Sequence, residues 1–310
     1  MLPGAGEQQV FTSLAGPGGA GRGGGGGGGG VVLCDLDPGN LARAAARVRD
    51  AAPGVEVVEV PGSFVGVPAA MRALGLSADV VLGDLGFASN QVDDPARGLS
   101  FRTDGPLDMR LDPGGLVTAA ELVNELPEAD LADVIYRYGE ERASRRVARA
   151  IVRRRSETPF ERTGDLAEVV RRAVPGGQRG GQRGGQRGGK RGGRSGIDPA
   201  TRTFQGLRIA VNGELESLES LLACVSSGAG AGGWLAAGAR VGLISFHSLE
   251  DRPIKRAMLS WAEAGLGERV TRKPVVADEA ESAGNRRARS AKFRVFRLGV
   301  GIADGFVGKS

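Results

Sequence analysis

Three short apolar segments in the first third of the chain alternate with segments of helical periodicity. The strand-like segments are residues 31–35, 55–60 and 79–84, and the first and third end in an aspartate. Strands that alternate with helices predict an α/β fold with a parallel, doubly wound sheet. Ligands of such sheets bind outside the carboxyl ends of the strands. Asp35 and Asp84 are therefore predicted to lie at a ligand-binding edge.

The middle of the chain has a helical pattern, which predicts an inserted domain. Thr118 followed by Glu121 is typical of the amino-terminal cap of a first helix. The predicted helices span 119–124, 129–138, 140–155, 163–173 and 199–222, and the predicted later strands span 239–246 and 292–298. We predict a Rossmann-like sheet domain made of 31–112 and 216–310, interrupted by a mostly helical domain at 113–215.

Glycine and basic residues are concentrated in separate low-complexity segments. Of the 53 glycines among 310 residues, eight stand consecutively at positions 23–30, within a glycine-rich amino terminus of residues 1–30. Residues 175–196 repeat Gly-Gly-Gln-Arg and hold six Lys or Arg without an acid, and residues 285–297 hold six more. Concentrated basic segments predict a polyanionic partner, above all nucleic acid. A solvated linker inside the helical domain is the alternative interpretation of 175–196.

Cysteine and histidine content and hydropathy exclude several protein classes. The chain has two cysteines, Cys34 and Cys224, and one histidine. These numbers exclude a disulfide framework and the usual Cys or His zinc centres, so no metal is predicted, and they fit a reducing compartment. No apolar run is long enough to cross a membrane, and no signal peptide is recognisable. The sequence does not indicate an oligomeric state.

A short glycine motif at 16–21 has the pattern G-x-G-x-x-G, and Asp35 follows it at about the spacing of a ribose-binding acid. The indication is weak, because a glycine-rich chain produces this pattern by chance. A nicotinamide-dependent dehydrogenase would explain the glycine motif, but it would explain none of the longer motifs that follow.

Four longer motifs carry much more information. They are DLGFASNQVDDPARGLSFRTDGPLDMRLDP at 84–113, PATRTFQGLRIAVN at 199–212, ISFHSLEDR at 244–252 and NRRARSAK at 285–292. In sequence and order they closely resemble the motifs of the bacterial 16S ribosomal RNA cytosine-N4 methyltransferases, which use S-adenosylmethionine. The resemblance extends over about residues 31–297. It implies a cytoplasmic enzyme that methylates a cytidine in the decoding region of the small ribosomal subunit.

The resemblance also implies a site for S-adenosylmethionine. By their place in the motifs, Asp35 would accept hydrogen bonds from the ribose hydroxyls and Phe64 would lie near the adenine. Asp84 would face the charged methionine end, and Gln91 would help to hold that end. The full set of implied cofactor residues is Gly18, Gly19, Ala20, Asp35, Phe64, Asp84 and Gln91. The alternatives are capping roles for the two aspartates, core packing for Phe64 and a surface amide for Gln91.

Methyl transfer to cytosine N4 needs a well-positioned base and a group that accepts its proton. Asp104, Asp108 and His247 are candidates for that group, and none is assigned, because a lone histidine at a strand end is also typical of a structural hydrogen-bond donor. Candidate contacts to RNA phosphates are Arg97, Arg110, Arg202, Arg208, Arg286, Arg289 and Lys292. Local ion pairs with acids are the alternative for several of these basic residues.

The amino terminus departs from the family pattern. The family has a H-x-P-V-L-L segment and then a strand leading into D-x-T-x-G-x-G-G-H-S, whereas here the loop would match residues 14–20, with Ala20 in place of the family histidine. A helix should follow the loop, but each glycine costs a helix about 1 kcal/mol relative to alanine, so the run of eight excludes one there. Either the reading frame begins upstream of Met1, or the cofactor loop is degenerate. The alternative function is an RNA-binding relative that has lost cofactor binding.

Overall fold

The computed structural model describes residues 9–15, 29–175, 198–229, 232–285 and 288–299. These residues form two compact units. The first consists of the described residues up to Ser89 together with those from Glu214 onward, and the second spans Asn90–Gly213. The first unit contains the sheet, and the second is built mainly from helices.

The sheet of the first unit is mixed, with a block of strands that share one direction. Its strands are β1 (Gln9–Ala15), β2 (Gly30–Asp35), β3 (Glu56–Pro61), β4 (Ser77–Asp84), β5 (Leu235–Ser245), β6 (Gly267–Arg269), β7 (Val275–Val276) and β8 (Lys292–Leu298). The order is β3-β2-β1-β4-β5-β8-β6, and β7 also pairs with β8. Pairs β2/β3 and β4/β5 are parallel, whereas β1 and β8 run antiparallel to their neighbours. The predicted α/β class is confirmed, and the predicted parallel arrangement holds for β2 to β5.

Strand β1 was not predicted. The loop predicted at residues 14–20 from glycine spacing includes the last two residues of β1, Leu14 and Ala15. The β-forming residues that precede this loop favour a strand instead. In the structure Gln9 pairs with Asp84 and Ala15 pairs with Ser77, so β1 runs towards the amino end of β4. The predicted loop residues Gly18, Gly19 and Ala20 lie outside the described residues.

Helices pack on both faces of the sheet. The helices of this unit are α1 (Pro38–Ala51), α2 (Val67–Ala73), α9 (Glu214–Gly228), α10 (Ser248–Glu263) and α11 (Glu279–Gly284). Alternating residues of β2 separate the two faces, since Val32 belongs to the larger core cluster and Leu33 packs with Leu41 of α1. In the larger cluster, Trp261 of α10 stacks edge-to-face on Phe296 of β8, with 5.3 Å between the ring centroids. Burial on both faces explains why these strands read as continuous apolar runs.

The second unit has its own apolar core. The remaining helices are α3 (Ser89–Asp93), whose first residue still belongs to the sheet unit, and α4 (Ala119–Glu125), α5 (Glu128–Arg137), α6 (Ser144–Arg155), α7 (Thr163–Ala173) and α8 (Ala200–Asn212). Leu107 and Met109 are buried in the helical core. The backbone N–H of Leu107 donates to Glu161 O at 2.8 Å, and that of Leu111 donates to Asn212 Oδ1 at 2.7 Å. The predicted boundary at 113 therefore falls inside this unit, because the segment before it packs on the helices.

Local backbone geometry decides where the helices begin and end. The predicted helix 163–173 and the Thr118–Glu121 capping box are confirmed. The predicted helix 199–222 is wrong, because Gly213 at φ 57° divides it into α8 and α9. Helix α6 begins at Ser144, four residues after the predicted start, since Glu140 adopts φ 51°.

Gly98→Ala tests the packing of the second unit. Gly98 has φ +63°, and a Cβ there would lie 2.0 Å from Pro106 O, so backbone must move. Gly75→Ala is the matched control, because Gly75 has φ +66° with nothing within 4 Å of the Cβ position. The control should lose about 1–2 kcal/mol of unfolding free energy from the left-handed conformation alone. The Gly98 variant should lose several kcal/mol in urea unfolding, and equal losses would contradict the packing described.

Candidate functional site

The carboxyl ends of the parallel strands meet at one edge of the sheet. In the pair β2/β3 Asp35 faces Pro61, and in the pair β4/β5 Asp84 faces Ile244. Strand β1 separates β2 from β4, so the Cα atoms of Asp35 and Asp84 are roughly 10 Å apart at the usual strand spacing. The predicted placement of both aspartates at the carboxyl edge is confirmed.

Asp35 is fixed at the end of β2. The residue is 3% exposed, and its Oδ1 accepts a hydrogen bond from the Asp37 backbone N–H at 2.7 Å. Its own carbonyl accepts from Gly62 N at 3.0 Å, which ties the turn after β3 to the end of β2. Gly62 has φ +109° and nothing within 4 Å of a built Cβ, so open space adjoins this turn.

Cys34 precedes Asp35 in β2, and Phe64 follows β3 in the chain. Burial raises the pKa of the Cys34 thiol to about 12, with a smaller contribution from the charge of Asp35, so the thiol stays neutral. Phe64 is 5% exposed and belongs to the larger core cluster of the sheet unit. Core packing therefore accounts for the position of Phe64.

Asp84 is followed by a tight turn against β5. Leu85 N donates to Ile244 O at 3.1 Å, which continues the strand pairing one step past Asp84. Gly86 has φ +108°, and a Cβ there would lie 3.4 Å from a ring carbon of Phe246. The glycine of the D-L-G motif is thus required by its backbone conformation, whereas the distance to the Phe246 ring is an ordinary van der Waals contact.

His247 lies two residues after the end of β5 and is the amino-terminal cap of α10. Glu250 is 3% exposed, and its Oε2 accepts from Phe246 N at 2.8 Å and from His247 N at 3.3 Å. Its other oxygen, Oε1, lies 3.2 Å from His247 Nε2. The buried Glu214, at the start of α9, completes a group whose ligand-type atoms lie within 4.8 Å of one another. The side chains of both glutamates thus lie close to the imidazole.

Sequence reasoning identified His247 but missed both glutamates. The i, i+3 spacing of His247 and Glu250 at a helix start is the capping-box pattern and could have indicated their contact. Glu214 is far away in sequence, and only the pairing of elements in three dimensions brings it to the histidine.

Asp251 binds two basic residues of β8. Its Oδ1 accepts from Arg294 Nε at 2.7 Å, and its Oδ2 lies 3.3 Å from Lys292 Nζ. Burial raises the pKa of Asp251, but the bonds from Arg294 outweigh burial and hold that pKa below its usual value. Lys292, a predicted phosphate contact, is therefore engaged in an ion pair within the protein.

The two aspartate candidates of the second unit are held by arginines. Asp104 accepts from Arg162 and from Gly164 N, and the bond from Arg162 is the main reason why the pKa of Asp104 is lowered. Burial raises the pKa of Asp108, but Arg110, which donates from Nε at 2.8 Å and from Nη2 at 2.7 Å, lowers it further than burial raises it. Carboxylates with lowered pKa values are weak proton acceptors. The contacts of Asp104 and of Asp108 therefore favour structural roles for these two residues.

The remaining predicted site residues differ in their exposure and in their contacts within the protein. Arg110 also donates to Gly115 O, and Arg97 donates to Leu111 O at 2.7 Å. Arg208 and Gln91 are buried, at 9% and 4% exposure, so the surface-amide alternative for Gln91 is wrong. Arg202 is half-exposed, 3.8 Å from Glu141 Oε2, and Arg289 is exposed, while Arg286 lies outside the described residues.

Comparison with known proteins decides the family. The sequence profile of the MraW methylase family matches residues 29–298. The chain belongs to the MraW methylase family. A relative from Sorangium cellulosum is 47% identical over 270 residues, which cover 87% of this chain and 78% of that protein. Two others, from Synechococcus elongatus and Deinococcus radiodurans, are 45% identical over 266 residues (86% of this chain, 79% of the relative) and 42% identical over 296 residues (95% and 85%). All three are named ribosomal RNA small subunit methyltransferase H.

Membership of the MraW methylase family confirms the resemblance found in the four motifs. The match begins just before β2 and ends at the last residue of β8, so it includes both Asp35 and His247. Among the residues that the structure describes, no helix has the length and apolar character needed to span a membrane.

Asp251→Asn tests the link between α10 and β8. In the folded protein the pKa of Asp251 lies below its ordinary value of 3.8, so the stabilisation is full above that value and is lost as the pH falls through the lower, folded pKa. At pH 7 the variant should lose on the order of 1–3 kcal/mol of unfolding free energy, because Arg294 stays buried without its carboxylate.

The exposed pair of Asp133 and Arg137 supplies the control. Asp133→Asn should change stability by less than about 0.5 kcal/mol. Urea unfolding measured from neutral to acidic pH should show the wild-type advantage over Asp251→Asn shrinking below the ordinary pKa. A loss that is independent of pH would contradict the ionic contact.

Proposed function

We propose that this chain is an S-adenosylmethionine-dependent ribosomal RNA methyltransferase of the cytoplasm. Its substrate would be the N4 amino group of a cytidine in the decoding region of 16S ribosomal RNA, in the small ribosomal subunit. The observation that carries the proposal is the placement of Asp35 and Asp84 at one carboxyl edge, inside a family match that covers most of the chain. The names of the curated relatives support ribosomal RNA as the substrate.

The donor set of this edge fits the proposed cofactor. A carboxylate at the end of β2 offers two acceptor oxygens, which suit the paired hydroxyls of a ribose. The open space beside Gly62 adjoins Asp35, and Gly62 itself has no Cβ to fill it. Asp84 supplies a negative charge for the cationic methionine end, and buried Gln91 is proposed to assist there. When bound, S-adenosylmethionine supplies a methyl group on a positively charged sulfur.

The chemistry requires positioning more than strong base catalysis. The N4 lone pair of cytosine is delocalised into the ring, so the protein must hold N4 in line with the methyl group and accept its proton by a hydrogen bond. We propose His247 for this role, because it follows β5 at the same edge as Asp84. Asp104 and Asp108 are less suited, since the contacts with arginines lower the pKa of both carboxyl groups and make them weak proton acceptors. The target base would leave its stack to reach the edge.

An RNA-binding relative without catalysis is the second candidate. The direction of β1 favours it, since Ala15 ends that strand beside Ser77, at the edge opposite to Asp84. Strand β1 thus ends at the edge away from Asp35 and Asp84. The run of glycines at 23–30 also replaces the helix that the family pattern places after the loop.

Asp84→Ala should separate these two candidates. If the edge binds the cofactor, titration calorimetry should detect S-adenosylmethionine binding by the wild type, and the variant should bind at least about tenfold more weakly, a loss of about 1.4 kcal/mol. Asp79→Ala is the control, because Asp79 is exposed on the same strand. Both variants should melt close to the wild type. Undiminished affinity of Asp84→Ala would overturn the assignment of Asp84, and no binding by the wild type would favour the non-catalytic candidate.

The methylation itself is tested in cells that lack their own enzyme of this family. Expression of the full chain should restore N4-methylcytidine in digested small-subunit RNA, detected by mass spectrometry, and Asp84→Ala should not. A known family member serves as the positive control. If that control restores the mark and this chain does not, the catalytic proposal is wrong for this chain.

A further inference from the structure

We propose that a groove between α6 and α7 binds consecutive phosphates of the RNA substrate. The inference rests on the proposed action on ribosomal RNA, and it concerns a surface that none of the sequence-predicted RNA contacts occupies. The groove has a volume of about 540 Å³, and its basic lining residues are Arg146, Arg149, Arg153, Arg154 and Arg172. We call this surface the arginine groove.

The sequence of α6 separates an apolar face from a basic one. Val147, Ala148 and Ile151 are fully buried in the helical core. Arg146, Arg149 and Arg153 are spaced i, i+3 and i+7, which places them on one side of the helix, and all three are exposed. At a rise of 1.5 Å per residue they extend along about 10 Å of the helix axis.

Local acids neutralise the groove only in part. Arg149 lies 3.5 Å from Glu128, with 77% and 42% of the two side chains exposed, and Arg172 pairs with Glu168 of its own helix. Exposed pairs of this kind contribute little and exchange readily for other partners. Among the described residues that line the groove, Glu157 is the only acid. Within the described ranges, neither Arg146 nor Arg153 forms a salt bridge.

The role of the groove arginines differs from that of Arg155 on the same helix. Arg155 donates to Val123 O at 2.6 Å and to Leu126 O at 2.7 Å, so it binds α6 to the end of α4. Arg154 lines the groove but also makes contacts within the protein. It donates to Thr158 O, and its guanidinium carbon lies 5.4 Å from the centroid of the Phe160 ring. Basic residues in the last turn of a helix also interact favourably with the helix dipole. That effect does not explain Arg146 or Arg149, which lie nearer to the amino end of α6.

A nucleic-acid backbone matches the groove better than a small anion does. Guanidinium groups bind phosphates through paired N–H donors. A length of about 10 Å corresponds to roughly three phosphates of one strand, at about 3.4 Å per nucleotide along a double helix. The floor between the arginines is formed by Ala150, Val169 and Ala173, which leaves room for the sugar backbone. In the sequence, the basic repeat 175–196 begins two residues after Ala173.

The test compares two triple variants of the full chain that lose the same charge. Arg146→Gln/Arg149→Gln/Arg153→Gln removes the central basic residues of the groove, and glutamine keeps helix propensity. Arg47→Gln/Arg72→Gln/Arg256→Gln removes three exposed arginines of the sheet unit. A third variant with lysine at 146, 149 and 153 keeps the charge but loses the paired N–H donors of the guanidinium groups. It should therefore bind RNA more weakly than the wild type at an unchanged salt slope, and wild-type affinity would count against the groove even if the glutamine variant fails to fold.

The measurement is the affinity for a 16S ribosomal RNA transcript between about 50 and 200 mM salt. The groove variant should bind at least about tenfold more weakly, and its log–log salt slope should fall by about two, at 0.7–0.9 per lost phosphate contact. The lysine variant should keep the wild-type slope, and the sheet-unit variant should change affinity by less than about twofold. Equal effects of the two glutamine variants, or no effect of the groove variant, would overturn the proposal.

Two further readouts distinguish the possible failures. A groove variant that keeps its RNA affinity but loses affinity for polyglutamate would show an acidic protein partner, and the proposal would be wrong. Methylation is scored separately in cells. If the wild type methylates RNA and the groove variant keeps the wild-type affinity for RNA, the groove proposal is refuted and the catalytic proposal stands. If the wild type makes no N4-methylcytidine and the groove variant loses RNA affinity, the groove proposal is supported and the catalytic proposal is refuted.

Discussion

The common direction of strands β2 to β5 is the constraint on which the candidate site depends. Because these strands run the same way, Asp35 and Asp84 reach the same edge, although β1 lies between their strands. The turns after β2, β3 and β4 are then fixed by backbone hydrogen bonds, such as Gly62 N to Asp35 O and Leu85 N to Ile244 O. The backbone of each aspartate is thus fixed by the sheet.

Several motif residues of the second unit make structural contacts within that unit. Asp108 and Arg110 form a two-point ion pair, and Asn212 accepts from Leu111 N and donates to Met109 O. Gly105 is required because a Cβ there would lie 2.0 Å from Pro95 O. These contacts hold the segment 95–112 against the helices.

The sequence predicted features that depend on local patterns. The strands that end in Asp35 and Asp84, the helix 163–173 and the cap at Thr118 all follow from periodicity or from neighbours within four residues. Features that depend on distant contacts were missed. The sequence could not place Glu214 beside His247, and it could not show that the segment before 113 packs on α7 and α8.

The arginine groove shows the same limit for binding residues. The predicted phosphate contacts came from the family motifs, and the structure engages several of them internally, as with Arg110 and Lys292. The arginines of α6 lie outside those motifs, and only the packing of α6 against α7 shows that they line one groove. The local sequence therefore identifies the basic residues, but the surface that they share depends on how the helices pack.

Amide hydrogen exchange with and without S-adenosylmethionine tests the central claim most directly, that the carboxyl edge of the sheet is the cofactor site. The account predicts slower exchange in the turns at 35–37, 61–66 and 84–88 when the cofactor is present, because each turn adjoins a strand end at that edge. Exchange in α6 and α7 should not change. Unchanged exchange in all three turns at a saturating cofactor concentration, or protection confined to the helical unit, would contradict the account.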